Sequence, residues 1–264
     1  MRVRAVVILT GLALMTLPLM PVQAVLLRTS KKWARRFPHW YHRNVCRALG
    51  IDLEITGAVV RDTPVLVVAN HVSWLDIPVI SAVAPVSFVA KKEVASWPFV
   101  SMLANLQRTV FVDRERRTKI GDTATEITSR LASGDAIVLF AEGTSSDGNR
   151  ILPFKTSLFA AAKPTVNAST PAVASPALVQ TLTVVYTRRH GIPMGWAGRR
   201  NFSYYGDVDM GANAWSVLTR GPIHARIIVS DPVPLENFKD RKALAQWAEK
   251  AVREGFVATL RHER

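Results

Sequence analysis

The chain has 264 residues, of which 48% are hydrophobic, so it can bury one core and still carry a membrane segment. Its single cysteine, Cys46, excludes an intrachain disulfide framework and a zinc site built from several thiolates. The formal net charge of +14 at pH 7 predicts an anionic partner, such as nucleic acid, an anionic lipid surface or a phosphorylated substrate.

The N-terminal region combines an uncharged apolar stretch with a basic cluster. Residues 5–27 carry no charge and approach the ~20 residues that cross a bilayer, so we predict a membrane segment. Pro18 and Pro21 predict a kink or an end in this helix, which leaves a span and a re-entrant segment both open. Cleavage of a signal peptide after Ala24 is the alternative, although the basic residues that follow favour a segment retained on the cytoplasmic side.

After the apolar stretch, apolar and aromatic residues recur at helical spacing between lysines and arginines. They are Trp33, Phe37, Trp40, Tyr41, Val45 and Leu49. The pattern predicts an interfacial amphipathic helix with a kink or boundary at Pro38, and the alternative is a core helix with a solvated basic face. Nucleic acid is not expected as a partner, because the sequence has no zinc-finger pattern and no RNP-like strand. We assign residues 1–50 to membrane association.

From Gly50 onward, short β-branched runs alternate with helical stretches. This predicts a catalytic domain over residues 51–264, of the α/β class, with a mainly parallel sheet flanked by helices. The predicted strands are 65–69, 86–90, 108–113, 136–141, 181–187 and 224–230. The predicted helices begin after Asp76 and cover 93–105, 117–133 and 239–261, whereas residues 161–178 predict an irregular connection.

A histidine and an aspartate follow the first of these strands, in the sequence NHVSWLD at positions 70–76. In an open parallel sheet, ligands bind at the carboxyl ends of the strands. If the chain turns after His71, the Asp76 carboxylate accepts the Nδ1 proton of the imidazole and leaves Nε2 as a general base. The alternative is a turn histidine beside an aspartate that caps the next helix.

The NHVSWLD stretch resembles the NHxxxxD hallmark of the glycerolipid acyltransferases, the lysophosphatidic acid acyltransferase group. Three further regions fit the same family in order and spacing, and together they cover about residues 60–190. They are KKEVASWPFV (91–100) with RTVFVDR (108–114), FAEGTSSDG (140–148), and LPFKTSLF (152–159). The chain departs from the family at Ala141 and Thr181, where proline is usual, and at Ser157, where glycine is common.

The resemblance implies that His71 takes the proton of a substrate hydroxyl and that Asp76 orients the imidazole. The hydroxyl then attacks an acyl thioester directly, without an acyl-enzyme. The resemblance also implies a cation for the acceptor phosphate at Arg114 and contacts to the glycerol portion near Glu142. The substrate-binding residues implied in this way are Arg114, Glu142, Gly143, Thr144 and Lys155.

The expected activity is O-acyl transfer from acyl-CoA or acyl carrier protein to lysophosphatidic acid, which gives phosphatidic acid for phospholipid biosynthesis. Acylation of lyso-ornithine lipid is the alternative, because SSDGN and YYGDVDM resemble a bacterial branch that contains such enzymes, and Arg114 would then contact a carboxylate. A non-catalytic protein that tethers to anionic membranes or binds nucleic acid is the alternative from another class.

The resemblance implies no cofactor and no metal, with the thioester as co-substrate. The expected partners are membrane lipids, the lysolipid acceptor and the thioester donor. The expected location is the inner membrane, with the catalytic domain on the cytoplasmic side.

Overall fold

The computed structural model describes residues 2–112, 126–127, 129–131, 133–162 and 177–263. Within these ranges the helices are α1 (Arg2–Thr29), α2 (Lys31–Leu49), α3 (Asp76–Val83), α4 (Pro98–Leu106), α5 (Trp196–Phe202), α6 (Met210–Arg220) and α7 (Arg241–His262). Short 3-10 helices lie at Lys92–Ser96, Thr156–Ala162 and Leu235–Asn237. The strands are β1 (Ile51–Thr56), β2 (Val65–Ala69), β3 (Val86–Lys91), β4 (Val110–Val112), β5 (Ala136–Phe140), β6 (Leu178–Arg189), β7 (Ile192–Pro193), β8 (Ile223–Val229) and β9 (Val233–Pro234).

The strands form one sheet in the order β1-β8-β6-β2-β5-β3-β4, and β7 and β9 also pair with β6. The pairs from β6 through β2, β5 and β3 to β4 are parallel, whereas β8 runs antiparallel to β6. Ile223 at the start of β8 pairs with Arg189 at the end of β6. The chain therefore re-enters the sheet at the edge where β6 left it, and β8 runs in the opposite direction. The predicted mainly parallel α/β sheet with flanking helices is confirmed.

Apolar side chains fill both sides of the sheet. On one side they join the sheet to α1, α2, α3 and α6, and on the other side they join it to α7 and to the helical residues 127 and 131. All five residues of β2 are buried, as expected for a strand covered on both faces.

Strand predictions succeed where the chain has a continuous apolar run. The run at 108–113 is paired only over Val110–Val112 in the part of the chain that the structure describes, and β6 begins three residues before the predicted 181. The strand β1 was missed because its sequence, IDLEIT, alternates apolar and polar residues at the sheet edge. The helices α5 and α6 were also missed.

Two helix predictions need correction or lie partly outside the described residues. The predicted helix 93–105 is divided into a 3-10 helix and α4, because Trp97 is extended (ψ 107°) ahead of Pro98. The predicted helix 117–133 is described only in part, and its described residues from 126 to 131 are helical. Of the predicted connection 161–178, residues 163–176 lie outside the described ranges.

The two N-terminal helices form an antiparallel hairpin that packs on the α/β domain. The prolines were predicted to kink or end these helices, and an end is wrong, because α1 continues through Pro18 and Pro21, and α2 continues through Pro38. Packing along the partner helix offsets the missing backbone donors, and the Thr16 and Tyr41 hydroxyls bond at 2.7 Å midway along the hairpin.

Both ends of α1 are attached to other parts of the fold. At its start, the Arg4 guanidinium donates to the Leu49 carbonyl at 2.8 Å and also to the Leu218 carbonyl of α6. Near its end, the buried Gln23 amide donates to the Ala34 carbonyl at 3.0 Å and to the Leu106 carbonyl at 2.8 Å. Among the described helices, α1 alone has the length and hydropathy needed to cross a membrane.

Gln180, the third residue of β6, ties two loops to the sheet from a fully buried position. Its amide nitrogen donates to the carbonyls of Ala58 (3.0 Å) and Ser230 (2.7 Å), and its amide oxygen accepts from the Val60 N–H at 2.9 Å. The side chain therefore satisfies three backbone groups that have little access to water.

We expect Gln180→Ala to lower the free energy of unfolding by roughly 2–4 kcal/mol, because buried backbone groups lose their partners and a cavity forms. Urea unfolding followed by circular dichroism measures the change. The control is Gln246→Ala on the exposed side of α7, for which we expect a change within about 0.5 kcal/mol. Equal stability of the two variants would contradict the assigned role of Gln180.

Candidate active site

The register of the sheet brings two predicted site residues together at one edge. Ala69 at the end of β2 is paired with Phe140 at the end of β5. His71 and Glu142 each follow their strand by two residues, so both leave the sheet at the same level. This is the carboxyl edge of parallel strands, where the sequence predicted the chemistry.

His71 and Asp76 form the predicted pair. The imidazole Nδ1 lies 2.7 Å from Asp76 Oδ2, and the same oxygen accepts the backbone N–H groups of Val72 (2.6 Å) and Ser73 (3.0 Å). These donors precede Asp76 in the chain, and the residue at the N-cap position of α3 is Leu75, which makes no side-chain cap bond. The alternative of a helix-capping aspartate is therefore wrong.

Tyr186 near the end of β6 completes the shell around Asp76. Its hydroxyl donates to Asp76 Oδ1 at 2.7 Å, so the buried carboxylate accepts four hydrogen bonds. Burial raises the pKa of Tyr186 well above its usual value, and the Asp76 charge adds to this effect, so the phenol stays protonated and remains a donor. Sequence reasoning missed this residue, and the signal was a tyrosine near the end of the apolar run TLTVVYT.

The His71 ring is fixed on a second side by Phe140. The two rings stack at 4.1 Å between centroids and 21° between planes. Since Nδ1 faces a carboxylate, the neutral imidazole carries its proton there and keeps Nε2 as the acceptor. In the described part of the chain nothing hydrogen-bonds to Nε2, and 23% of the side chain is exposed. The ring is thus held still while one nitrogen is left to accept a proton.

Glu142 lies behind His71 and is only 1% exposed. Its Oε1 accepts the His71 N–H at 2.8 Å, and its Oε2 accepts the Leu152 N–H at 2.8 Å. Burial raises the pKa of Glu142 to about 7 although the two backbone bonds oppose the shift. Because both oxygens are occupied by backbone donors, we expect Glu142 to position the His71 loop, which differs from the predicted contact with the acceptor.

The other predicted substrate residues lie at the same edge or outside the described ranges. Gly143 is buried with φ +70°, a conformation that favours glycine, whereas the neighbouring Thr144 is exposed. Lys155 is exposed, and its backbone N–H donates to the Ala141 carbonyl at 2.9 Å. Arg114 lies outside the described residues. The substrate contacts of these four residues stay predictions.

A segment that the sequence did not single out as structure forms one wall of the site. The Tyr204 N–H donates to the Val72 carbonyl at 3.0 Å, next to His71. Gly148 packs under this segment with φ +72°, and a Cβ there would lie 2.6 Å from the Ser203 hydroxyl. The region after α5 therefore rests directly on the loop that carries His71.

Across the described ranges, no group of three or more His, Cys, Asp or Glu side chains is arranged to hold a metal ion. The pair of His71 and Asp76 is too small for a zinc site, which takes at least three protein ligands.

The raised pKa of Glu142 predicts a pH-dependent stability difference from Glu142→Gln, which does not titrate. Because the folded pKa of about 7 exceeds the ordinary 4.5, the folded state favours the protonated form, and wild type loses stability as pH rises through this window. We expect the free energy of unfolding of wild type, minus that of Glu142→Gln, to fall by roughly 3 kcal/mol between about pH 4.5 and pH 7. Urea unfolding across this range measures it, and a constant difference would contradict the assignment.

Comparisons with known proteins agree with this geometry. A family model described as Acyltransferase matches residues 51–180. The chain is 44% identical to the lyso-ornithine lipid O-acyltransferase of Brucella abortus, over 95% of this chain and 93% of that protein. It is 32% identical to the 1-acyl-sn-glycerol-3-phosphate acyltransferase of Neisseria meningitidis, over 80% of this chain and 77% of that protein.

A solved structure shows the same fold. The 1-acyl-sn-glycerophosphate (LPA) acyltransferase PlsC from Thermotoga maritima has a TM-score of 0.67 with 20% identity, and the match covers 98% of both chains. With the family model, the curated relatives and the fold in agreement, the chain belongs to the glycerolipid acyltransferase family and is an acyltransferase.

Proposed function

We propose that this enzyme transfers a fatty acyl group from a thioester donor to the free hydroxyl of a lysolipid, with His71 as general base. The bond of 2.7 Å between His71 Nδ1 and Asp76 Oδ2 is the observation that carries the proposal, because it leaves Nε2 as a proton acceptor. The family membership accounts for the reaction class, and it sets aside the alternative of a non-catalytic tethering protein.

The proposed reaction has two proton transfers, both through Nε2. The acceptor hydroxyl gives its proton to His71 as its oxygen attacks the thioester carbonyl, and the Asp76 carboxylate stabilises the imidazolium that forms. The tetrahedral intermediate collapses with cleavage of the C–S bond, and the imidazolium returns the proton to the leaving thiolate. The products are the acylated lipid and the free thiol, and the enzyme is unchanged.

For the acceptor we propose lyso-ornithine lipid ahead of lysophosphatidic acid, which reverses the order expected from the motifs. The support is the higher identity over more of the chain with the relative named for that acceptor. The position of YYGDVDM adds to it, because Tyr204 in this segment bonds to Val72 beside the catalytic histidine. Arg114 remains the proposed cation for the acceptor carboxylate or phosphate.

We also propose how the enzyme meets the membrane. Relatives act on membrane lipids, and α1 is long and apolar, which supports the inner membrane with the catalytic domain on the cytoplasmic side. A helix bonded to Leu49 at one end and to Leu106 at the other stays beside the domain. We therefore favour insertion into one leaflet over a complete span, and retention of α1 over cleavage after Ala24.

The first test is thiol release from acyl-CoA and from acyl carrier protein thioesters, with lyso-ornithine lipid or lysophosphatidic acid as acceptor. We expect His71→Ala to lower acceptor-dependent release by at least about 10²-fold, because the general base is lost. His262→Ala, at the exposed end of α7, should keep wild-type rates. Folded protein that shows no acceptor-dependent thiol release would refute the proposed reaction. A preference for lysophosphatidic acid would refute lyso-ornithine lipid as the acceptor.

A second test concerns the tyrosine bound to Asp76. We expect Tyr186→Phe to lower kcat about tenfold with little change in KM, because a hydrogen bond to a charged group is lost. Tyr41→Phe is the matched control, since it removes a bond of equal length to Thr16 in the N-terminal hairpin. If the two variants have the same kcat, Tyr186 does not position the catalytic pair.

A further inference from the structure

A large cavity lies at the edge of the sheet opposite the active site. Its volume is about 1100 Å³, and it is enclosed between α2 and the residues that precede or begin β2, β3, β4 and β5. β2 has five residues and is about 16 Å long, and His71 follows its other end. The cavity is therefore separate from the site of acyl transfer, and the sheet lies between them.

The walls of the cavity are strongly basic. Asp135, one of two carboxylates in the lining, is already neutralised by Arg35, at 2.6 Å, and by Arg108. Six other cations line the cavity, and no carboxylate of the described residues lies within ion-pairing distance of them. They are Lys31, Lys32, Arg36, Arg43, Arg47 and Arg61.

Two of these cations approach the same point from different elements. Burial lowers the pKa of His39, and the positive charges of Arg43 on α2 and Arg61 in the loop before β2 lower it further. The His39 Nδ1 lies 2.7 Å from the Ser81 carbonyl, and this contact holds the ring in place. An anion placed here would meet guanidinium donors from α2 and from the loop before β2, both at exposed positions.

The mouth of the cavity continues into an apolar surface. Trp33 and Trp40 line it and are 57% and 50% exposed, and Val22 and Val25 at the end of α1 are also exposed. Tryptophan beside arginine and lysine is the combination that suits the headgroup region of a bilayer. The ligand therefore needs an anionic group for the cavity and acyl chains for the surrounding surface.

We propose that this cavity binds the phosphodiester headgroup of an anionic phospholipid, as a site distinct from the acceptor site. Charge complementarity selects the headgroup, and the continuity with the exposed tryptophans and α1 selects a lipid over a soluble phosphate. A site of this volume has room for a headgroup and the first part of its chains. Occupation would fix α2 against the membrane without entering the reaction.

Binding of phosphatidylglycerol to the full chain in neutral detergent micelles tests the proposal, with phosphatidylcholine as reference lipid and native mass spectrometry as readout. We expect Arg43→Gln/Arg61→Gln to weaken binding of phosphatidylglycerol by about tenfold or more and to leave phosphatidylcholine unchanged. The control is Lys242→Gln/Arg261→Gln, which makes the same charge change on exposed positions of α7 and should bind as wild type does.

A second pair, Lys32→Gln/Arg36→Gln, lies at exposed positions on α2, and it should weaken binding in the same direction. If Arg43→Gln/Arg61→Gln has a lower melting temperature than wild type, this second pair decides whether the cavity binds phosphatidylglycerol. Wild-type affinity in both pairs would overturn the proposal, as would an equal loss in the α7 control. Displacement of phosphatidylglycerol by an equal concentration of inorganic phosphate would also overturn it, because the site would then recognise free phosphate.

Discussion

The site depends on the hydrogen bonds that the buried carboxylate of Asp76 accepts. An ionised carboxylate inside a protein must have its lone pairs satisfied, and here four donors from two segments do so. The donors are the imidazole of His71, two backbone N–H groups of the turn after it, and the Tyr186 hydroxyl. The same requirement fixes the shape of the turn, the direction of the imidazole and the distance between β2 and the start of α3.

A second buried carboxylate holds the loop from the other side. Glu142 accepts the N–H of His71, while the side chain of Asn70 bonds to both backbone groups of Val184 on β6, at 2.8 and 3.0 Å. His71, the proposed general base, is thus fixed through its ring and through its backbone. Bases that must accept a proton in a set direction benefit from such preorganisation, since no reorientation is needed during the reaction.

The catalytic pair and the central strands were predictable because they depend on local patterns. An apolar run such as VLVVA predicts a buried strand, and a polar motif directly after it lies at the carboxyl edge by geometry alone. Tyr186 was not predictable in the same way, because its partner is 110 residues away in sequence. The role of Glu142 was also missed, because its burial follows from the pairing of β2 with β5, which the sequence does not state.

The hairpin of α1 and α2 returns both of its ends to the domain, and this limits where the product can be formed. If α1 inserts into one leaflet, as proposed above, the enzyme works from that leaflet only. New lipid would then accumulate in the leaflet where the enzyme is anchored, and the areas of the two leaflets would diverge. Balanced growth of the bilayer then depends on a separate process that moves lipid between leaflets.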